Sequence, residues 1–383
     1  MRRIELEPRN DWRRRVEAVG MDYHSLDGEI YWDESACYLF SASQIDRLDD
    51  ATAELQRLCL EAVDVIIRRQ WFQRLKIPDW AVPYIVESWQ RREPSLYGRF
   101  DLAWNGDGPP KLLEYNADTP TALLEAGVVQ WFWLRERFPD ADQFNSIHEK
   151  LIAFWQSFGQ RHGRVHFAGV LSSDEDRGNL DYLRDTASQA GIRTERLAIE
   201  DIGWDDIQCR FVDLEQQPIH ALFKLYPWEW LLREEFGRYL PQADVSILEP
   251  PWKLLLGNKG LLPILWELFE GHPNLLPASF EDKPLLGDYV RKPLYSREGA
   301  NIEIRRGSHV VETGGQYGDE GFVYQRHAPL PNFAGNFPVI GSWIVAGKPA
   351  GIGIREDKTE ITGNNSRFIP HYFVEDRLWN SSI

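Results

Sequence analysis

Apolar residues recur at helical spacing between residues 41 and 70. There SASQIDRLDDATAELQRLCLEAVDVIIRRQ puts Ile45, Leu48, Leu55, Cys59, Ala62 and Ile66 on one stripe. Thr52 is the one polar residue on that stripe, and a Ser precedes the run as a helix cap. Helical patterns also cover ALLEAGVVQWFWLRERF, after Pro120, and QFNSIHEKLIAFWQSFGQRH, from near Asp142. Between 164 and 248 the pattern changes: RVHFAGVLS reads as a strand, NLDYLRDTASQAGI as a helix and TERLAIEDI as a strand. HALFKLYPWEWLLREEF then gives a strand, a Tyr-Pro break and a helix, and VSILEPPWKLLLGNKGLLPILWELF repeats that order. Such alternation predicts an α/β unit built on a parallel sheet. From about 288 onward, DYVRKPLY, NIEIRR, HVVET, GFVYQRH and FPVIGSWIVAGKPAGIGIRED are short β segments separated by Gly, Asn and Pro turns. They predict an antiparallel, β-rich lobe closing the chain.

With 383 residues, 43% of them hydrophobic, the chain can bury a large core. Its 16 Trp residues are read as core and wall, because large rings dominate packing area. The net charge of −16 and the absence of a clustered basic patch argue against a nucleic-acid or membrane partner. Arg13-Arg14-Arg15 and Arg91-Arg92 are short runs flanked by acids and read as solvated helix faces. Cys37, Cys59 and Cys209 have neither metal-ligand spacing nor the even number of a disulfide framework, which suits a reducing compartment. The N-terminus lacks a signal-like apolar core, and no run of about 18 apolar residues occurs. A cytoplasmic location is expected.

Four short stretches could carry chemistry. In RFDLAWNGDGPPKLLEYNADTPT, two strands around an NGDGPP turn would form a hairpin with Asp101 on one arm and Glu114 and Asn116 on the other. Period-two alternation places Leu113 with Tyr115 on one face and Glu114 with Asn116 on the opposite face. Two carboxylates and an amide oxygen are hard donors of the kind Mg²⁺ prefers; the alternative is a salt-bridged surface hairpin. Acids inside otherwise apolar strands need a partner or a metal. In GNKGLLPIL, Lys259 precedes an apolar helix and could meet a phosphate there, or the turn could simply cap the helix. It is not a Walker A motif. YVRKPLYSREGANIEI carries Lys292 and a small-residue loop able to cover phosphates, or to be a plain hairpin turn. GIGIREDKTEIT alternates Gly with Ile before Arg355, which allows close approach of a ligand or marks a charged hairpin tip.

Taken in order, RFD with LLEYNADTPT, KLYPWE (224–229), EPPWKLLLGNKGLLPILW, KPLYSREGANI and GIGIRED resemble the synthetase part of the glutathionylspermidine synthase family and its shorter acid–amine ligase relatives. The resemblance runs from about residue 30 to about 375 and implies an α/β (α+β) ATP-grasp fold. That fold would combine a parallel-sheet substrate lobe with a C-terminal antiparallel nucleotide-binding lobe. The expected division is an N-terminal helical region (1–85), a metal- and substrate-binding α/β region (86–250), the nucleotide-binding lobe (251–375) and a tail (376–383). Position by position, the resemblance implies that Asp101, Glu114 and Asn116 hold two Mg²⁺ ions, with Glu114 bridging. It makes Arg99 a catalytic arginine that binds ATP and stabilises the transferring phosphoryl group, with Phe100 and Asp101 beside it in the nucleotide site. Lys259 and Lys292 become phosphate lysines, and Glu298 and Gly299 part of the loop over the triphosphate. Phe322, Val323, Tyr324 and Gln325 match the adenine-holding hinge strand, Arg355 a further active-site arginine, and Glu360, Ile361 and Thr362 a nucleotide-contacting strand. Asp118, Thr119 and Thr121 are expected near the acid substrate.

The implied reaction joins a carboxylic acid, such as glutathione, to an amine, such as a polyamine, through an acyl phosphate. Its cofactors are ATP and Mg²⁺, and its partners are small molecules. The chain is short for the family's bifunctional members, and Cys37 and Cys59 lack an amidase context, so no hydrolytic half-reaction is expected. In SSDEDRGNLDYL (172–183), Arg177 and Gly178 replace family carboxylates, while Asp174, Glu175 and Asp176 stay acidic. Two other readings use the same residues: a small-molecule kinase that stops at phosphoryl transfer, and a nucleotide-binding protein without turnover.

Overall fold

The N-terminal amphipathic stripe folds as one long helix. The computed structural model describes residues 1–26, 28–282, 287–363 and 366–379. Strand β1 (Arg2–Glu5) pairs with β2 (Ala36–Ser41), which leads directly into helix α1 (Ala42–Arg69). The Ser41 side chain accepts from the Gln44 N–H, and the Gln44 side chain accepts from the Ser41 N–H, closing a capping box. The predicted apolar stripe is buried. Its one polar member is satisfied: the Thr52 hydroxyl donates to Leu48 O at 2.5 Å and meets the Ser342 hydroxyl at 2.6 Å.

Helix α2 (Val82–Gln90) precedes the hairpin strands β3 (Tyr97–Ala103) and β4 (Lys111–Asn116). A π-helical turn (Glu125–Val129) then opens α3 (Gln130–Arg137). The next helix, α4 (Ile147–Gly159), starts five residues later than the Asp142 expected from its pattern. Residues 142–146 stay outside the helix because their backbone is bonded elsewhere: Phe373 N donates to Asp142 O, and Ser146 N donates to Ala350 O.

The alternating region builds the parallel sheet its pattern predicts. Strand β5 (Arg164–Gly169), helix α5 (Asp174–Gln189), β6 (Arg193–Ala198), β7 (Ala221–Leu225) and β8 (Ser246–Leu248) give a sheet of order β8-β7-β5-β6, parallel throughout. The helix predicted after the Tyr-Pro break is only one turn, Trp228–Leu231. Helix α6 (Leu261–Leu268) follows the Gly-Asn-Lys-Gly turn.

The β segments from 288 to 369 are antiparallel as expected but divide between two sheets. Strands β9 (Ala278–Ser279), β10 (Tyr289–Pro293), β11 (Glu303–Arg306), β12 (His309–Glu312) and β13 (Phe322–Arg326) form one, ordered β9-β13-β10-β11-β12. The long strands β14 (Phe337–Val345) and β15 (Lys348–Asp357) leave it and join the hairpin, with β16 (Arg367–Ile369), in the order β16-β15-β14-β3-β4. The reason lies in β14: Ile340 and Ile344 pack with the α1 stripe, while Trp343 and Val345 pack in a second core with α4 and the parallel sheet. A strand apolar on both faces needs both faces covered. Strand β17 (His371–Val374) pairs in parallel with β2. Asp376–Trp379 form a helical turn, and residues 380–383 of the expected tail lie outside the described residues.

Because Thr52 donates its proton to Leu48 O, the Ser342 hydroxyl donates to Thr52. Thr52→Val therefore leaves a buried donor unpaired and should cost about 1–3 kcal/mol. Ser342→Ala should cost less. Adding it to Thr52→Val should recover part of the loss, as read by urea unfolding of the four proteins in the cycle.

Candidate functional site

The hairpin predicted around NGDGPP brings the three oxygen donors together. In the β3–β4 ladder Arg99 lies opposite Asn116 and Asp101 opposite Glu114, after which the register shifts and Leu102 pairs with Leu112. Leu113 is the extra residue of this bulge, so the expected placement of Leu113 beside Tyr115 is corrected. Leu112 and Tyr115 share the core, and Leu113 joins Glu114 and Asn116 on the side of a deep cleft. Phe100 also faces the core, stacked on Tyr115 with centroids 4.0 Å apart, so its side chain lies away from the cleft.

Across that face the polar groups form a continuous row. The Asn116 amide donates to Asp101 Oδ2 (3.1 Å) and Glu114 Oε1 (3.2 Å). Arg99 Nε donates to Asp101 Oδ1 (2.7 Å) and its Nη1 to Thr121 O (2.6 Å), while Arg355 Nη2 reaches Asp101 Oδ2 (2.6 Å). Gly341, opposite Asp101 on β14, makes room for Arg99: a Cβ there would lie 2.7 Å from Arg99 Cδ. Lys259 Nζ sits 3.0 Å from Glu114 Oε2 and donates to Ser296 O at 2.5 Å. Lys292 Nζ donates to Leu113 O and Gln325 Oε1, both at 2.8 Å. Burial alone would raise the Glu114 carboxyl, but Lys259 and then Lys292 outweigh it and hold the group well below the ordinary carboxylate range. Burial in turn lowers Lys292 to about 8, against the pull of Glu114.

Two carboxylates and one amide oxygen on adjacent strands are the hard donors a divalent cation takes. Among the described residues no group of three His, Cys, Asp or Glu side chains is placed to hold a metal.

The loop after β10 closes one side of the cleft. Glu298 (φ 54°) and Gly299 (φ 71°) are left-handed, and a Cβ on Gly299 would meet Thr362 O at 2.7 Å. Glu360, Ile361 and Thr362 line the cleft as expected, but they lie in a bend after β15 rather than in a strand. Glu360 is ion-paired with Arg306 (2.8 Å). Of the four hinge residues only Gln325 reaches the cleft. Val323 is buried in a small cluster, Phe322 receives Arg291 over its ring and Tyr324 packs edge-on to Tyr289. The lining continues instead through Arg326, His327 and Ala328, with Val290, Ile304 and Ile361 forming an apolar slot.

The opposite wall stands at the carboxyl ends of the parallel strands, the usual crevice of such sheets. Val170 and Tyr226 follow β5 and β7, and Glu175 and Asp176 open α5. Burial, then the charges of Glu175 and Glu298, push Asp176 up to about 7; burial and Glu175 also raise Glu298. Asp174 is turned out to Arg177 (2.7 Å), and neither lines the cleft. Thr119 and Thr121 line it, whereas the expected third member, Asp118, does not. Its carboxylate is taken by the buried Lys224 (2.6 Å) and the Trp228 N–H (2.7 Å). The KLYPWE run is thus a brace: Lys224 holds Asp118, and Glu229 holds Arg297 (2.8 Å), whose Nη1 donates to Thr119 Oγ1 (2.8 Å). Pattern reading did not single out Tyr31, Tyr226, Trp230 or His327 as lining residues, although Tyr226 lies inside the KLYPWE run and Trp230 directly follows it; Tyr31 and His327 come from distant segments.

Residues 3–374 match the family described as glutathionylspermidine synthase preATP-grasp. A Haemophilus influenzae protein provisionally named an acid–amine ligase is 44% identical over 98% of this chain and 100% of its own length. Trypanothione synthetase of Crithidia fasciculata is 28% identical over 93% of this chain, and the bifunctional glutathionylspermidine synthetase/amidase of Escherichia coli is 27% identical over 95%. The chain spans only 57% and 64% of the lengths of those two. Among solved structures, an apo glutathione synthetase-like effector (GSS30) of Globodera pallida superposes with a TM-score of 0.60 at 11% identity, covering 97% of this chain and 98% of its own. That likeness concerns the fold, a mixed α/β arrangement of several sheets. By the match across nearly its whole length, the chain belongs to the glutathionylspermidine synthase preATP-grasp family.

Proposed function

We propose that this protein is an ATP- and Mg²⁺-dependent ligase that joins a carboxylic acid to an amine through an acyl phosphate. The acid could be a peptide such as glutathione and the amine a polyamine. The observation that carries the reading is the Asp101–Asn116–Glu114 row on paired strands, with Lys259, Lys292, Arg99 and Arg355 crowded against it. In this proposal residues 251–375 supply most of the nucleotide lobe and 86–250 the metal and substrate region, while β14 and β15 complete the hairpin sheet.

The cleft is bipolar, and each end suits one reactant. Lys259, Lys292, Arg99 and Arg355 form a cationic end for a triphosphate, and the apolar slot at Val290, Ile304 and Ile361 suits a purine ring. Asp101, Glu114 and Asn116 would hold Mg²⁺, which would supply positive charge to offset the triphosphate during transfer. Arg99, fixed by Asp101 and Thr121 O, is positioned to stabilise the phosphoryl group as its bond to ADP breaks and its bond to the substrate carboxylate forms. Thr119 and Thr121 hold the acid on that side, and Glu175, Asp176 and Glu298 receive a cationic amine on the other. The amine then displaces phosphate from the acyl carbon. The 294–301 loop excludes water, which would otherwise hydrolyse the intermediate.

Glutathione with spermidine, followed by a panel of acids and amines, tests the assignment through ADP release and amide detection. ADP with a phosphorylated acceptor and no amide would favour the kinase reading, and nucleotide binding without ADP the non-catalytic one. Glu114→Gln should lower ADP release at least 10²-fold while the protein remains folded, as read by circular dichroism. Lys292→Ala should weaken ATP binding by about 1.5–3 kcal/mol, measured by calorimetry. Gly341→Ala, which pushes on Arg99, should lower kcat far more than ATP affinity, and equal losses in both would count against the Arg99 role.

A further inference from the structure

Glu125 is a carboxylic acid placed where a folding argument alone would put none. It is fully buried at the first position of the π-helical turn, a helix irregularity that often marks functional sites. Its Oε1 accepts the Tyr31 hydroxyl at 2.7 Å; among the described residues its Oε2 makes no hydrogen bond of regular geometry, and the Tyr23 hydroxyl is close enough to act on the carboxyl as a second donor. Among the described residues no cation pairs with it: the ionisable groups acting on it are Glu175, Tyr31 and Tyr23. Tyr23 packs against Gly178, where a Cβ would lie 2.5 Å from its ring, and its buried hydroxyl faces the Glu125 carboxyl. Burying an unpaired carboxyl costs several kcal/mol, roughly, unless it is neutral or in use.

Tyr31 connects this acid to the cleft. It lines the cleft beside Thr121, Ala122 and Glu175, and its hydroxyl is near enough to Arg99 to interact electrostatically. The hydroxyl is thus within electrostatic reach of both Arg99, assigned to phosphoryl transfer, and Glu175 of the acidic wall assigned to the amine.

We infer that Tyr31 and Glu125 form a proton-accepting dyad for the amine-attack step, an inference that rests on the ligase reading above. An alkylamine is almost wholly protonated at neutral pH, and even its neutral form must lose a proton as it becomes an amide. An ammonium N–H proton moves to the Tyr31 oxygen while the Tyr31 O–H proton moves to Glu125 Oε1, which leaves Glu125 neutral and frees the nitrogen lone pair. That lone pair forms the C–N bond as the C–O bond to phosphate breaks with its electron pair leaving on phosphate, and the second N–H proton, which either nucleophile must lose, goes to that phosphate. Glu125 then returns its proton through Tyr31 to water. Burial, then Glu175, push the Glu125 carboxyl up to about 7, so both of its protonation states are accessible under working conditions. Burial and the charges of Glu125 and Glu175 hold the Tyr31 hydroxyl well above its usual range, which keeps Tyr31 a relay rather than the final base. Tyr31 is the group that touches substrate; Glu125 acts through it.

The test compares two nucleophiles on the full chain with ATP, Mg²⁺ and glutathione. Spermidine must shed a proton, whereas hydroxylamine is already neutral at pH 7 and traps the acyl phosphate as a hydroxamate. In Tyr31→Phe and Glu125→Gln the ratio of spermidine amide to hydroxamate should fall about 10²-fold, the size of a general-base contribution. Glutamine keeps the volume and the acceptor for the Tyr31 hydroxyl but cannot take a proton. A poorly folded variant lowers both rates together and leaves the ratio unchanged, so folding loss cannot mimic the expected result. An unchanged ratio in well-folded variants that bind ATP normally would overturn the dyad. A wild-type protein that releases no ADP with either nucleophile would instead remove the ligase reading for this acid, and the dyad with it.

Discussion

The site depends on one register. Asp101 and Glu114 face each other across two antiparallel strands, and a single extra residue, Leu113, changes the phase of the second strand just before them. Without that bulge, strict alternation would keep Leu113 on the core face with Tyr115. With it, Leu112 and Tyr115 both anchor the strand in the core while Leu113 joins Glu114 and Asn116 on the cleft side, where its backbone carbonyl receives Lys292. Phe100 stacked on Tyr115 locks the same register from beneath. The oxygen row is therefore held by the packing of aromatic rings on its reverse side, which is a stiffer support than the ion pairs on its own face.

Charge is segregated along the cleft, and the surrounding ion pairs maintain the segregation. Four cationic side chains converge on Asp101 and Glu114, and three acids gather where the parallel strands end. Arg297 sits between them and is neutralised from the protein side by Glu229, so it orders Thr119 without carrying a free charge into the acidic region. Asp118 is neutralised in the same way by Lys224. Each pair is mostly buried, and breaking one by removing a single partner would leave an uncompensated charge costing about 3–5 kcal/mol. These pairs are braces for the walls, and the reacting groups are left to the cleft.

Much of this was legible locally. The α1 stripe, the alternation from 164 to 248 and the hairpin arms all follow from periodicity over a few residues, because burial acts on each side chain separately. The two lysines and the oxygen donors were legible because each breaks an apolar run at a conspicuous point. The late start of α4, the single turn at Trp228–Leu231 and the bend at Glu360–Thr362 were not legible: their backbone conformations answer to partners far along the chain, such as Phe373 and Ala350 for residues 142–146. Gln325 alone reaching the cleft from its strand, and Asp118 being taken by Lys224, depend on contacts of the same distant kind.

By itself the amino-acid sequence determined the kinds of element, the chemistry of the donors and their order along the chain, since periodicity, capping and residue type are local properties. Only the tertiary structure decided which strands share a sheet, that β14 and β15 serve the hairpin rather than their sequence neighbours, and that Tyr31 and Glu125 meet beside Arg99. Those outcomes arise from covering both faces of a strand at once and from pairing buried polar groups across nearly a hundred residues. No local window contains that information.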